Sequence, residues 1–471
     1  MRVLIANRGE VAVRVAIAAR ELGWSPVGVV GRGDRSPHCR YLDACAVVDS
    51  YLDAEGIVEA ARKLNADIVH PGYGFLAEDP DFARRVLAAG LYWAGPSPRV
   101  MEVLGDKLEA KKLADRLGVP TPPYCVATSP KGVVECVKRV GAPAVIKRSM
   151  GGGGRGQRVV WDTDERSLQV IAEILEREAP GETIVEKLIE KPRHIEVQLV
   201  GDGRGTLIHL YERECSIQRR RQKVIEEAPS PLAARLPELR EKLLEYALRL
   251  GEAASLDSAA TMEFIVDERG EPYFIECNPR LQVEHGVTEA VTGVDIVKLQ
   301  LLAAIGRSIG IEQRDVVLRG WSMEARIYAE DPLNNFAPSR GWAQLEIGVL
   351  GPGVRIDAVD HGSIYVDPAY DTMIAKVISW GSTREEARAR LARALKAIRV
   401  SGVETNLEMV VEVINSREFA EGNYNVGTLE RVVGRLKSSS ERYEMTVLPV
   451  KSLEVPKRSV WHVAARLDTS L

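Results

Sequence analysis

PAVIKRSMGGGGRGQRVVW, residues 143–161, sets four consecutive glycines between two strand-like runs. Strand, glycine loop, strand is not the order of the phosphate loop in which GK[ST] opens a helix, so a P-loop nucleotide fold is excluded here. Glycine reaches left-handed torsions and leaves its amide uncovered, and such a loop can therefore wrap phosphate oxygens with backbone donors. Lys147, on the strand before the loop, adds a point charge for the same phosphates. By itself the run also fits a flexible hairpin tip or linker.

Towards the N-terminus, RVLIA (2–6) reads as a strand, 10–22 as a helix and VGVV (27–30) as the next strand, the opening of a doubly wound, Rossmann-like sheet. The turn NRGE lacks the three-glycine fingerprint that lets a backbone approach a pyrophosphate, which argues against NAD or FAD. ADIVHPGYGFLAED (66–79) and LYWAGPSP (91–98) continue the alternation and close a first unit of about a hundred residues. A helix over 106–117 leads through GVPTPP, a hinge signal, to the glycine loop. Beyond it, 183–214 is strand-rich, 234–255 helical and 259–280 a hairpin. Alternating MEARIYAED near Trp321 opens a mixed region that ends in a helix over 383–397. From Lys437 the text turns polar and then apolar, a tail that either frays or docks.

Composition narrows the function class. Of the 471 residues 45% are hydrophobic and 28% charged, the balance of an ordinary globular enzyme. Lys and Arg number 63 against 67 Asp and Glu, so no global field points to nucleic acid or an anionic membrane. No run reaches the ~18 apolar residues of a membrane span, and the start MRVLIANRGE carries no secretory pattern. Cys39, Cys45, Cys125, Cys136, Cys215 and Cys277 are scattered without a CxxC pair. They predict no zinc site, no redox dithiol and no disulfide framework, in a reducing cytoplasm.

Three segments carry chemistry. If ERGE is a four-residue hairpin loop in TMEFIVDERGEPYFIECN (261–278), Glu263 stands opposite Glu276. Opposed carboxylates need a cation between them, and Asn278, two residues on, adds an oxygen to a hard metal site; a solvent-facing acidic pair is the plain alternative. In NPRLQVEH (278–285) Arg280, Gln282 and Glu284 alternate along an extended segment, which puts all three on one side. Arg can grip a planar oxyanion, Gln support it and Glu take its proton, although a surface ion-pair ladder has the same pattern. In SIQRRRQKV (216–224) three adjacent arginines cannot all face one way along a strand.

Taken together, IANRGEVAVRV, HPGYGFLAED, GDK, IKRSMGGGGRGQRVV, EKLIEKPRHIEVQ, QRRRQKVIEEAP, MEFI, FIECNPRLQVEHGVTEAVTG, MEARIYAEDP and AYDTMIAKVI stand in order. The chain thereby resembles biotin carboxylase, of the ATP-grasp superfamily, over about residues 1–435. The resemblance implies an α/β (α+β) protein: a Rossmann-like N-terminal domain (1–107), an ATP-grasp domain (108–306) with a mobile glycine-loop lid at about 119–189, a mixed α/β C-terminal domain (322–434) and a tail (437–471) of open role.

It further implies an ATP-dependent ligase that carboxylates biotin from bicarbonate through carboxyphosphate, with Mg²⁺ or Mn²⁺. Lys107, Lys147, Gly153 and Gly154 would meet the ATP phosphates; Glu186, Lys187 and Ile189 the adenine; His194 and Gln218 the ribose or phosphates. Glu263, Glu276 and Asn278 would hold metal. Bicarbonate would lie on Lys223, Arg280, Gln282 and the Val283 backbone, with Glu284 as base; Arg326 would hold the biotin ureido oxygen near Tyr73 and Gly74. Arg221 stands where many members of the family carry His and cannot act as an acceptor, but it is expected to reach the nucleotide. The resemblance places this chain as one subunit of a biotin-dependent acyl-CoA or pyruvate carboxylase. A biotin carboxyl carrier protein and a carboxyltransferase are the expected partners, in a homodimer or larger complex. Another ATP-grasp carboxylate–amine or carbamoyl-phosphate-type ligase shares the lid and metal carboxylates, and a regulatory protein without chemistry is the non-enzymatic alternative.

Overall fold

The computed structural model describes residues 1–148, 157–178 and 182–436. The glycine loop with Gly153 and Gly154 and the tail expectation for 437–471 lie outside them. In the first strand, Arg2–Ile5, Val3 and Ile5 face one way and Leu4 the other, and all three are fully buried. Both faces are therefore covered, as a parallel sheet requires. Five parallel strands run in the order Ala44–Val48, Ser25–Gly31, Arg2–Ile5, Ile68–His70, Tyr92–Trp93. The helix Gly9–Glu21 brings Val11, Ala12 and Val15 to Val3 and Ile5. Ala54–Lys63 and Pro80–Ala88 bring Ile57 and Phe82 to the Leu4 face.

Next comes an antiparallel sheet of eight strands, in the order Pro272–Asn278, Ala259–Val266, Arg193–Gly201, Leu207–Arg219, Gln222–Ala228, Trp321–Tyr328, Met373–Gly381, Val354–Ala358. Arg193–Gly201 is buried along its whole length. Its Ile195, Val197 and Leu199 meet Leu239, Leu243 and Leu250 of the helix Pro237–Ala253. The alternate residues His194, Glu196 and Gln198 point to the opposite face and are buried as well. Buried charge survives only where it is paired, so this polar face is where a site can be built. A helix over Lys107–Arg116 is capped by Asp106, which accepts from the amides of Leu108 at 2.8 Å and Glu109 at 2.9 Å. That cap is worth about 1 kcal/mol and fixes where Lys107 enters the site.

A separate sheet, Tyr124–Ala127, Thr183–Lys187, Ala144–Arg148, Arg158–Val160, carries the helix Pro130–Val140. The α/β class expected from the sequence is the one formed, and among the described residues no helix is long and apolar enough to cross a membrane. The cysteine expectation is corrected. Cys39 bonds to Cys45 and Cys125 to Cys136, across Cα separations of 5.8 and 5.4 Å. Spacing along the chain missed both pairs because proximity is set by packing. Cys39 lies on a 3₁₀ turn beside the edge strand of Cys45, and Cys125 lies on a strand beneath the helix of Cys136. Cys215 and Cys277 are free and buried.

Candidate active site

The hairpin places its carboxylates as expected, by a different route. Ala259–Val266 pairs with Pro272–Asn278 so that Glu263 faces Glu276 and Thr261 faces Asn278. Nearer the turn, however, Phe264 faces Phe274 and Val266 faces Pro272, a register one residue shorter than ERGE as a four-residue loop demands. A bulge after Glu263 takes up the extra residue and restores the pairing at the two glutamates. The same face alternation sends Met262 and Phe264 to the apolar core and leaves Glu263 on the polar side.

Lys223 is the centre of the polar face. Its Nζ donates to Glu196 at 2.5 Å, Glu284 at 2.6 Å and Glu263 at 2.9 Å. Glu284 in turn accepts from Arg326 Nη2 at 2.8 Å, and Arg326 also pairs with Glu226. Burial alone would raise Glu284, yet Lys223, Arg326 and Arg213 hold its carboxyl well below the usual range. Burial opposes the charge on Lys223 too, but the carboxylates of Glu196, Glu263 and Glu284 push it well above an ordinary lysine. For Glu263 burial is outweighed by Lys223 and by His194, whose Nε2 lies 3.0 Å from it, and the carboxyl is lowered.

Arg280 and Gln282 lie beside this cluster, though not on a strand. The segment bends after Asn278, and Glu284 stands at the N-terminal end of the helix His285–Thr292. Alternation along an extended ladder is therefore corrected: a turn into a helix brings the three together, and the helix terminus favours the Glu284 anion. Arg280 Nη1 donates to Gln282 Oε1 at 3.0 Å and Nη2 to Asn278 Oδ1 at 3.1 Å. The Nε2 of Gln282, only 4% exposed, has no partner. An unmet buried donor beside a guanidinium is the chemistry of an anion site. The carbonyl of Val283 accepts from Lys376 at 2.8 Å.

At the other end Glu186 lies between two buried lysines, Lys111 and Lys147, each 2.8 Å away. Burial, with Lys147 adding to it, lowers Lys111 to about 8 against the pull of Glu186. Lys107 meets Glu276 at 3.2 Å. Gln218 donates to His194 Nδ1 at 3.0 Å, which puts both beside Glu263. Lys187 instead donates to the carbonyls of Gly141 and Ala142 at 3.2 and 2.8 Å, and Ile189 is half-buried just past its strand. Tyr73 hydrogen-bonds Glu10 and not Arg326; Glu10 meets Lys376 at 3.3 Å, and Lys376 is the cross-strand partner of Arg326. Gly74 is exposed beside it. The arginine run resolves into a hairpin turn, with Arg220 and Arg221 at φ 46° and 72°. Glu186 and Glu276 both act on Arg221.

Sequence reasoning missed Glu196, Lys111, Glu226 and Glu78. Glu196 bridges Lys223 and Arg213, and Glu78 lies 3.2 Å from Arg280. The available signal for Glu196 was a lone charge inside the apolar run HIEVQLV. For Lys111 and Glu78 no local signal existed, because each looks like an ordinary surface residue of a helix or loop.

Comparison with known proteins then decides the family. The biotin carboxylase N-terminal domain matches residues 1–101, the carbamoyl-phosphate synthase L chain ATP-binding domain 106–311 and the biotin carboxylase C-terminal domain 324–431. The biotin carboxylase of Pseudomonas aeruginosa is 41% identical over 92% of this chain and 98% of its own. The chain belongs to the biotin carboxylase family. A pyruvate carboxylase subunit of Methanothermobacter thermautotrophicus is 38% identical over 96% of both chains. The biotin carboxylase domain of Hydrogenobacter thermophilus 2-oxoglutarate carboxylase, solved as a dimer with MgADP, ADP and bicarbonate, superposes with a TM-score of 0.88 at 40% identity, over 92% of this chain and 98% of that one.

For a biotin carboxylase the donors fit a divalent cation. Glu263 and Glu276 are paired hard oxygens, now held by Lys223 and Lys107. Asn278 turns its nitrogen to Glu263, at 2.8 Å, and its oxygen to Arg280, so its amide must rotate to serve as a ligand.

The buried charges also predict how this biotin carboxylase responds to pH. Burial raises Glu226 and Glu10 to about 7, against Arg326 and Lys376 respectively. Both bind a proton more tightly folded than unfolded, so stability drops as pH climbs from about 4.5 to about 7. His194, raised by Glu263 against burial, loses its contribution in the same direction. Glu263 and Glu284, held low, contribute above about pH 4.5 and lose this as pH falls further. His70, His209 and His285, lowered by burial to about 3, to about 4 and well below the imidazole range, oppose Glu226, Glu10 and His194 by losing stability as pH falls below about 6.5. The thermal unfolding midpoint is therefore expected to peak between about pH 5 and about pH 7; a midpoint that rises steadily from pH 5 to 8 contradicts the assignment.

Proposed function

We propose that this chain carboxylates biotin, borne on a separate carrier protein, at the expense of ATP and with bicarbonate as carbon source. One observation supports it above the rest: a buried carboxylate, Glu284, held between Lys223 and Arg326, beside Arg280 and the unmet Nε2 of Gln282. Arg280, Gln282 and Lys223 hold bicarbonate, and Glu284 takes its proton. Glu284 is a weak base while Lys223 and Arg326 both grip it. When these cations turn to the incoming oxyanion and the ureido oxygen, the carboxylate regains basicity where the proton must be removed. The deprotonated bicarbonate oxygen attacks the γ-phosphorus of ATP and ADP leaves, giving carboxyphosphate, while Lys107 and Lys147 neutralise charge on the transferring phosphoryl group. Glu263 and Glu276 would hold a divalent cation, which would supply further neutralisation of phosphate charge. Carboxyphosphate releases CO₂ and phosphate in the closed site. That phosphate takes the N–H proton of the biotin ureido group, and Arg326 stabilises the resulting enolate-like oxygen as the ureido nitrogen captures CO₂.

Residues 1–107, 108–306 with a lid at about 119–189, and 322–434 are the working units of this reading. The lid would close Gly153 and Gly154 over the phosphates, with Glu186, Lys187 and Ile189 at the adenine and Arg221 at the mouth. The pull of Glu186 and Glu276 on Arg221 supports that position. A cytoplasmic setting, a biotin carboxyl carrier protein, a carboxyltransferase and a homodimer or larger carboxylase complex complete the picture. The test is bicarbonate-dependent ATP hydrolysis by the purified chain with and without free biotin. Stimulation by biotin, formation of carboxybiotin and loss of both on chelation of Mg²⁺ are expected. If another acceptor takes the activated carboxyl group and biotin does not, the chain is a different ATP-grasp ligase.

A further inference from the structure

We propose that Cys125 and Cys136 form a functional oxidative modification site, whose disulfide staples the four-stranded unit carrying Lys147 and Glu186 and thereby holds the ATP end of the site in shape. Four of the six cysteines are paired, and neither pair follows from chain spacing. The Cys125–Cys136 Cα separation of 5.4 Å lies well inside the range a disulfide spans without backbone movement. The bond joins the edge strand Tyr124–Ala127 to the helix Pro130–Val140, across the small core of Ala127, Val133, Val137, Ile146 and Val185. A unit running only from 124 to 187 is of the size, below roughly 70 residues, that commonly needs a covalent or metal staple.

Position gives the staple a route to function. Cys125 pairs with Val185 and the adjacent Tyr124 with Glu186, the carboxylate between Lys111 and Lys147. Lys111 lies 5.5 Å from the Tyr124 ring, so an edge strand that shifts would disturb both Glu186 and its partner Lys111. The remaining thiols provide a control. Cys215 and Cys277 are buried, which pushes both well above the ordinary thiol range and makes them poor nucleophiles. In forming the bond the two thiols lose two protons and two electrons. These pass to an oxidant of the disulfide-exchange class, whose own S–S bond is cleaved to two thiols. Cys39 and Cys45 form a second staple, far in sequence from the Glu186 strand.

The consequence for ATP rests on the reading of Lys147 and Glu186 as nucleotide contacts; the disulfide does not. The full chain, trapped in iodoacetamide at lysis and denatured without reductant, should show two adducts, on Cys215 and Cys277, rising to six after reduction. Alkylated Cys125 and Cys136 in the unreduced sample would overturn the proposal. Reduction of the native protein should lower its thermal midpoint and weaken MgATP binding severalfold by calorimetry. The double variant Cys125→Ser/Cys136→Ser should show the weakened binding with or without reductant, whereas Cys39→Ser/Cys45→Ser should keep the parental ATP affinity and its loss on reduction. ATP affinity indifferent to reduction and to the first double variant also overturns it. Loss of biotin carboxylation with MgATP binding intact would instead sink the functional reading alone.

Discussion

Glu284→Gln is expected to lower biotin-dependent turnover by about a hundred- to ten-thousand-fold, the usual contribution of a positioned general base, while MgATP binding stays near the parental value. The amide keeps the shape of the carboxylate but cannot accept a proton from bicarbonate. The fold should tolerate the change. Lys223 retains Glu196 and Glu263, and Arg326 retains Glu226, so neither cation is stranded. Steady-state kinetics with varied bicarbonate, alongside ATP calorimetry, separates the two effects. Parental turnover in the Gln variant would remove Glu284 from the chemistry.

Lys223→Met should cost both stability and activity. The change leaves Glu196, Glu263 and Glu284 without their shared cation in a buried setting. Removing one partner of a buried ion pair typically costs ~3–5 kcal/mol, because the charge left behind is uncompensated. Arg213, His194 and Arg326 each retain hold of one of the three carboxylates, which keeps the fold within reach. The deficit is electrostatic, so the gap in unfolding midpoint between variant and parent should narrow as pH falls from 8 towards 5 and the stranded carboxylates take up protons. A gap that is the same at every pH would mean that lost packing of the lysine stem dominates. Because the same lysine is assigned to bicarbonate, turnover should be lost at all pH values.

Local pattern made much of this legible. Val3, Leu4 and Ile5 in an unbroken apolar run declare a strand covered on both faces, and the helix and next strand follow at the spacing of a doubly wound unit. Glu263 and Glu276 were legible because a hairpin is the one long-range pairing whose register a short loop dictates. Even there the loop was misjudged by one residue, and a bulge compensated. Bulges carry no reliable sequence signature, since the extra residue is chosen by packing on the two faces. Arg280, Gln282 and Glu284 were correctly grouped, but the reason was a bend into a helix and not a flat strand.

Residue types and their order, then, settle the class of fold, the family and the inventory of chemical groups. Periodicity of side chains is a local property, and motifs are contiguous. Tertiary structure alone decides which charges share a cation. Lys223 reaches Glu196, Glu263 and Glu284 from three separate segments, and Lys111 joins Lys147 on Glu186 across two units. It also decides that Cys125 meets Cys136 and Cys39 meets Cys45. Such contacts depend on distances of a few ångströms between segments far apart in the chain, and on the burial that makes an unpaired charge too costly to keep. Neither quantity is written in any one stretch of sequence.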